Sequence, residues 1–209
     1  MGKYGELPDP KQLIWAHSTC SKKELNAALL DPSITAIETD IVMGRLENQA
    51  QDDSSSTLQP IMAHPPNTTS DLNFLKFIEA FTADSEDFQH KHLKLDFKDL
   101  ETIDPVLNSL NETLSNKNVS FDKTIFLNAD ILPGPGRRCG PLAIGADAFI
   151  DKCLAFVKIG ENKKKFAFSL GWRVDPRSLG GYTVKDVQEM KDIIDKHNLL
   201  HQNAGEIFG

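Results

Sequence analysis

The chain has 209 residues, 40% of them hydrophobic and 25% charged, which is the balance of a globular protein of about one domain. A net charge of -7 argues against a nucleic-acid partner and against an anionic membrane surface. No apolar run approaches ~18 residues, so the chain is not transmembrane by a helix.

The first ten residues lack a signal-peptide pattern, so the chain reads as intracellular or as having an incomplete N-terminus. Cys20, Cys139 and Cys153 match no zinc spacing and read as reduced thiols. Glycosylation sequons at Asn67, Asn111 and Asn118 carry little weight without a signal peptide.

The first predicted strand runs from Gln12 to His17, with Leu13, Ile14 and Trp15 buried and His17 at its end. Ser21 starts a helix, and Glu24 completes a capping box. Leu25, Ala28 and Leu29 form its apolar stripe, and Asp31-Pro32 ends it. Ala36 to Ile41 is the second strand. Its period of two puts Glu38 and Asp40 on one face and Ile37 and Ile41 on the other. Two readings of that acidic face stay open. It is a solvated edge, or it is buried and needs a cation, for which oxygen donors suit Mg²⁺, Ca²⁺ or Mn²⁺.

Arg45 to Gln59 is polar and reads as a solvated loop. Pro60 to Pro66 is a short extended run that leaves His64 at its end. Ser70 caps a helix with Leu72, Leu75, Ile78 and Phe81 on one side, widened by Phe74 and Phe77. His92 to Phe97 is the third strand, with Lys94, Asp96 and Lys98 opposite Leu93, Leu95 and Phe97. Asp104 caps the next helix and Pro105 takes its first position. Thr124 to Leu132 is the fourth strand, with Phe126, Asn128 and Asp130 on one face. Asp147 to Lys158 is a helix, Phe166 to Leu170 the fifth strand, and Gly171-Trp172 follows it. Thr183 caps the last helix, whose Val184, Val187, Met190, Ile194 and Leu199 are assigned to the core.

Strand and helix alternate five times, the signature of an α/β protein with a parallel sheet. Three consecutive strands end in polar residues two apart on one face: Glu38 and Asp40, Asp96 and Lys98, Asn128 and Asp130. Inward side chains at the carboxyl ends of barrel strands converge on one mouth, where such barrels hold their active sites. Acidic residues outnumber the lysine there, which argues for a bound cation.

Trp15-Ala16-His17, Ile37-Glu38-Thr39-Asp40, Pro60 to Pro66, Leu93 to Lys98, Leu127 to Pro135 and Ser169 to Trp172 occur in this order. Together they resemble the menorin-like family, over about Ile14 to Met190. That family in turn is similar to the glycerophosphodiester phosphodiesterase and sphingomyelinase D barrels. The resemblance implies a partial (β/α)8 TIM-type barrel of the phospholipase C-like phosphodiesterase kind, with about five β/α units. It implies a divalent cation, Mg²⁺ or Ca²⁺, held by Glu38, Asp40 and Asp96. It implies proton transfer by His17 and His64 and charge stabilisation by Lys98. Asn128, Asp130 and Trp172 become substrate contacts.

Two departures qualify the resemblance. Ser18-Thr19 follow His17 where the larger group has Arg-Gly, and Pro65 follows His64 where it has Asp. Arg137 and Arg138 are the candidates to replace the missing arginine. The chain also supplies fewer units than a closed barrel of eight strands, which predicts exposed edges and self-association. The domain organisation is an N-terminal tail at 1–10, the partial barrel at 11–200 with a polar insertion at 45–59, and a C-terminal tail at 201–209.

Two functions follow. One is a metal-dependent phosphodiesterase acting on a glycerophosphodiester or lysophospholipid-like molecule. The other is a non-catalytic interaction protein with a cell-surface partner and a role in neuronal or tissue morphogenesis. The family resemblance points to an extracellular setting, against the missing signal peptide.

Overall fold

The structure, a computed structural model, describes residues 9–47, 57–82, 91–116, 121, 123–136, 144–157, 166–175 and 177–199. The loop residues 48–56, the sequon at Asn118, Arg137, Arg138, Cys139 and the tail 201–209 lie outside them.

A 3-10 turn (Pro10–Gln12) precedes β1 (Trp15–Ala16), which stops just before His17. There follow α1 (Lys22–Leu30), β2 (Ala36–Leu46), β3 (Gln59–Met62), β4 (Thr69–Ser70), α2 (Phe74–Thr82) and β5 (His92–Phe97). The chain continues through α3 (Ile103–Ser115), β6 (Ile125–Pro133), α4 (Ala146–Val157), β7 (Phe166–Arg173) and α5 (Val184–Lys196). Strands β1, β2, β5, β6 and β7 are parallel neighbours in that order. The sheet curls into a partial barrel. Crossovers between parallel strands of one sheet are as a rule right-handed, which puts the connecting helices on one side, as a barrel wall requires.

The core lies between the outer sheet face and the helices. Ile37, Ile41, Leu93, Leu95, Phe97, Leu127 and Phe168 meet Leu25, Phe77, Leu107 and Phe149 there. Fully burying one such side chain stabilises by about 1.5–3 kcal/mol. This cluster is why the inner face can be polar: the outer face supplies most of the apolar burial, with a smaller cluster of Val42, Ile61 and Ala63 beside it. The amino end of the inner face is closed by rings, with Phe126 6.0 Å from Trp15 and 6.5 Å from His92.

Several local expectations change. Strand β2 continues past Ile41 to Leu46, because β3 pairs antiparallel with its second half (Ile41 opposite Met62, Gly44 opposite Gln59). Arg45 and Leu46, read as loop, instead pair with Thr69 and Ser70. Ser70 therefore does not cap α2. It sits in β4 and its Oγ accepts from the N–H of Leu72, while Asn73 Oδ1 accepts from the N–H of Lys76 at the helix start. Leu75 is exposed, and Phe74, Phe77, Ile78 and Phe81 form the buried face. In α3 the cap position is Thr102 rather than Asp104, with the N–H of Thr102 held by Asp99 Oδ1.

Ser21 does cap α1, but Glu24 reaches the N–H of Cys20 and the Ser21 hydroxyl rather than the Ser21 N–H. Thr183 and Asp186 form a complete capping box on α5. Val184 and Val187 of α5 are exposed, contrary to the expectation of core. The other end of α5 is the part that docks. Lys196 and His197 bond Asp147 at the start of α4, and Met190 and Leu199 are buried.

Candidate functional site

Parallel register places four inner-face side chains in one row across the sheet: Asp40 opposite Asp96, Asp96 opposite Asn128, Asn128 opposite Ser169. Glu38 lies one inward position below Asp40, and Lys98 and Asp130 one above the row. Glu38, Asp40 and Asp96 are 3%, 2% and 9% exposed, so the acidic face is buried rather than solvated. Each offers an oxygen within 4.8 Å of the other two.

The contacts of these carboxylates are specific. Glu38 Oε2 accepts the backbone N–H of Ser18 at 2.6 Å and lies 3.7 Å from His17 Nε2. Asp40 Oδ2 accepts from Ser18 Oγ at 3.1 Å and meets His64 Nδ1 at 2.9 Å. Asp40 Oδ1 meets Lys98 Nζ at 2.8 Å, and the same ammonium reaches Asp96 Oδ2 at 2.5 Å. Asp96 Oδ1 is buried and has no partner among the described residues. His64 arrives beside Asp40 because the N–H of Ala63 bonds the Asp40 carbonyl, which ties the end of β3 to β2.

These environments separate the groups electrostatically. Burial pushes Glu38 above the usual carboxylate range, with Asp40 and Asp96 adding and the Ser18 N–H and His17 opposing. Burial also pushes against the Asp40 charge, but Lys98 and His64 overcome it and hold Asp40 below that range. Burial opposes the Lys98 charge too, yet Asp96 and Asp40 keep it firmly protonated. Asp130 is raised by burial and then by Asp96, against Lys98, Lys94 and Arg173. An ionised carboxylate can only accept, so His64 Nδ1 is the donor toward Asp40 Oδ2.

The structure thus gathers His17, Glu38, Asp40, His64, Asp96 and Lys98 at one place, with both histidines exposed. Asn128 is adjacent, and its Oδ1 accepts from Ser169 Oγ at 2.6 Å. Asp130 packs against Gly171, where a Cβ would lie 2.5 Å from Asp130 Oδ1. Trp172 goes elsewhere. A register shift between Asp130 and Leu132 sets it opposite Leu132, where it packs on the outer core and lies 5.0 Å from the Tyr182 ring. Its Nε1 is buried without a partner among the described residues.

Sequence reasoning missed Ser18, Ser169 and Arg173. Ser18 follows His17 directly, and that position was its only signal. Ser169 was legible from alternation, since Ala167, Ser169 and Gly171 face opposite to Phe166, Phe168 and Leu170. Arg173 continues that row and acts on Asp130 electrostatically.

The model of the Menorin N-terminal domain family matches residues 9–204. Protein FAM151B of Homo sapiens is 30% identical over 191 residues, covering 90% of this chain and 60% of that protein. The chain therefore spans about three fifths of the curated relative it matches. Among solved structures, S. officinalis PLC21 aligns over 90% of this chain and 20% of that chain, at 16% identity and a TM-score of 0.33. No helix among the described residues is long and apolar enough to cross a membrane. With a matched region that includes every element from β1 to α5, the chain belongs to the Menorin N-terminal domain family.

Proposed function

We propose that the inner-face cluster is a divalent-cation site serving phosphodiester chemistry, on a glycerophosphodiester or lysophospholipid-like substrate. The observation that carries this reading is the convergence of three buried carboxylates, one lysine and two exposed histidines at one end of a parallel sheet. The donor set consists of oxygens only, which suits Mg²⁺ or Ca²⁺. The orphaned, buried Asp96 Oδ1 is an acceptor that a cation would satisfy.

Glu38, Asp40 and Asp96 would hold the cation, which supplies Lewis-acid polarisation of a phosphoryl oxygen. The chain's own groups do the rest. His64 Nε2 takes a proton from the attacking oxygen while Asp40 fixes the ring through Nδ1. His17, on the Glu38 side, returns a proton to the leaving oxygen. Lys98 faces the negative charge that grows on the phosphoryl group. Asn128, held by Ser169, and Asp130 line the approach. The position of Trp172 on the outer core supports packing of the β7 end rather than substrate contact.

The test is a thermal titration with Mg²⁺, Ca²⁺ and Mn²⁺, beside a hydrolysis screen on glycerophosphodiesters and lysophospholipids. Metal should raise the melting temperature of the wild type and not of Glu38→Ala. If no metal stabilises the chain, and Glu38→Ala melts like wild type with every ion, the site reading is wrong.

A second reading, a non-catalytic interaction protein with a cell-surface partner and a role in tissue morphogenesis, is favoured by one different observation. Val174, Leu179, Tyr182, Val184 and Val187 are all exposed between β7 and the first turns of α5. Clustered exposed apolar side chains of this kind mark association surfaces.

A further inference from the structure

We propose that Lys98 is the resident cation of the acidic cluster and competes directly with an incoming divalent ion for Asp40 and Asp96. This rests on the divalent-site reading above and deepens it.

Three carboxylates held within 4.8 Å of one another in a buried site need compensating charge. Among the described residues Lys98 provides it at shortest range. Its Nζ bridges Asp40 Oδ1 at 2.8 Å and Asp96 Oδ2 at 2.5 Å, and the side chain is mostly buried. It is not a surface lysine that happens to point inward.

The distribution of donors over the carboxylate oxygens then limits how a cation can enter. Both oxygens of Asp40 are in use, Oδ1 by Lys98 and Oδ2 by Ser18 and His64. Glu38 Oε2 is committed to the Ser18 N–H. Asp96 Oδ1 is the buried acceptor left over. Ligating Asp96 Oδ1 would displace no donor, but a cation can ligate Asp40 only if one of the present donors yields.

Lys98 is the donor that yields. It carries a full charge of the same sign as the entering ion, so the two repel in a low-dielectric site. Its ammonium sits on a flexible four-carbon stem, whereas Ser18 donates to Asp40 from a loop already fastened by its own N–H to Glu38. A destination exists one row further up the inner face. Asp130 faces the same side, and Lys98 already acts on it electrostatically. Moving there carries the ammonium from the floor of the site to its rim, where an anionic substrate arrives. Cation loading and the delivery of Lys98 to substrate thus become one event. Lys98 also keeps the metal-free protein folded without a buried, uncompensated acidic cluster.

The experiment compares wild type, Lys98→Met, Lys98→Gln and Lys94→Met in thermal titrations with Mg²⁺, Ca²⁺ and Mn²⁺. Lys94 also faces inward and sees Asp130, so Lys94→Met removes the same charge without touching Asp40 or Asp96. Lys98→Gln keeps one donor and stands in should the methionine variant fail to fold. Without metal, the Lys98 variants should melt below wild type. With metal they should recover, and their half-saturating concentration should fall by about tenfold or more. Lys94→Met should stay near wild type. An unchanged or higher half-saturating concentration in the Lys98 variants overturns the competition alone, as does an equal gain in Lys94→Met. No metal response in any of the four proteins overturns the divalent site and the competition together.

Discussion

The backbone N–H of Ser18 donates to Glu38 Oε2 at 2.6 Å, from a left-handed backbone with φ of 55°. One residue after the first strand thereby holds Glu38 through its main chain and, through its hydroxyl, Asp40. Side chains with a Cβ disfavour this backbone region by roughly 1–2 kcal/mol. Ser18→Ala keeps that strain and loses the hydroxyl bond, which removes about 1 kcal/mol. Ser18→Gly loses the same bond but relieves the strain. Urea unfolding midpoints should rank wild type and Ser18→Gly above Ser18→Ala, and Ser18→Ala ranking first would remove the strain argument.

Two glycines make room of different kinds. A Cβ on Gly44 would lie 2.4 Å from the Thr68 carbonyl oxygen and 2.4 Å from Ile61 Cδ1, between β2 and its two partners. A Cβ on Gly171 would meet the far end of the Asp130 side chain, which can swing. Gly44→Ala should destabilise by about 1–3 kcal/mol, as overpacked sites do. Gly171→Ala should lose less stability while displacing Asp130, and chemical denaturation of both variants reads the difference.

The two β2 carboxylates should respond to pH with opposite signs. Glu38 has a raised folded value, so its contribution is favourable in acid and is lost as pH rises through that value. Asp40 has a lowered folded value, so its contribution is present above the ordinary carboxylate range and is lost as pH falls through the folded value. Metal-free Glu38→Gln should therefore melt above wild type at about pH 7.5, and the gap should close toward about pH 4. Melting curves across that range check it, and a gap that widens in acid would contradict the assigned burial of Glu38.

Removing the histidines should separate catalysis from folding. Both rings are exposed, so His17→Ala and His64→Ala should unfold close to wild type. If the phosphodiester reading holds, each should lower turnover by about 10²–10⁴-fold. The measurement is the pH profile of turnover on whichever phosphodiester the wild type hydrolyses. Loss of one limb of that profile in each variant is the expected result.

The exposed strip beside β7 should mediate self-association. Leu179→Asp combined with Val184→Asp places charge on two exposed apolar positions without touching the core. Light scattering across a concentration series should show wild type growing in mass and the double variant staying monomeric. A wild type that is monomeric throughout would end this idea.

The local rules were legible in particular residues. Alternation in Ala36 to Ile41 and in His92 to Lys98 announced which side chains share a face, because strand geometry alone dictates period two. The Thr183 and Ser21 caps were legible for the same local reason. Ser70 misled, because a hydroxyl before an apolar run satisfies the capping rule while tertiary pairing recruits it into β4. The length of β2 was hidden for a similar reason. Arg45 and Leu46 are extended only because Thr69 and Ser70 return to pair with them.

By itself the sequence determined the α/β alternation and which side chains share a strand face, Glu38 with Asp40, Asp96 with Lys98 and Asn128 with Asp130, since both depend on short-range periodicity. The tertiary structure decided what those groups mean to one another. Register across β2, β5, β6 and β7 aligned Asp40, Asp96, Asn128 and Ser169 in one row. A register shift between β6 and β7 set Trp172 opposite Leu132. Burial, with Ser18, His64 and Lys98 distributed over individual oxygens, raised Glu38 while lowering Asp40. Dielectric environment and hydrogen-bond partners are properties of neighbours in space, and so of the folded chain alone.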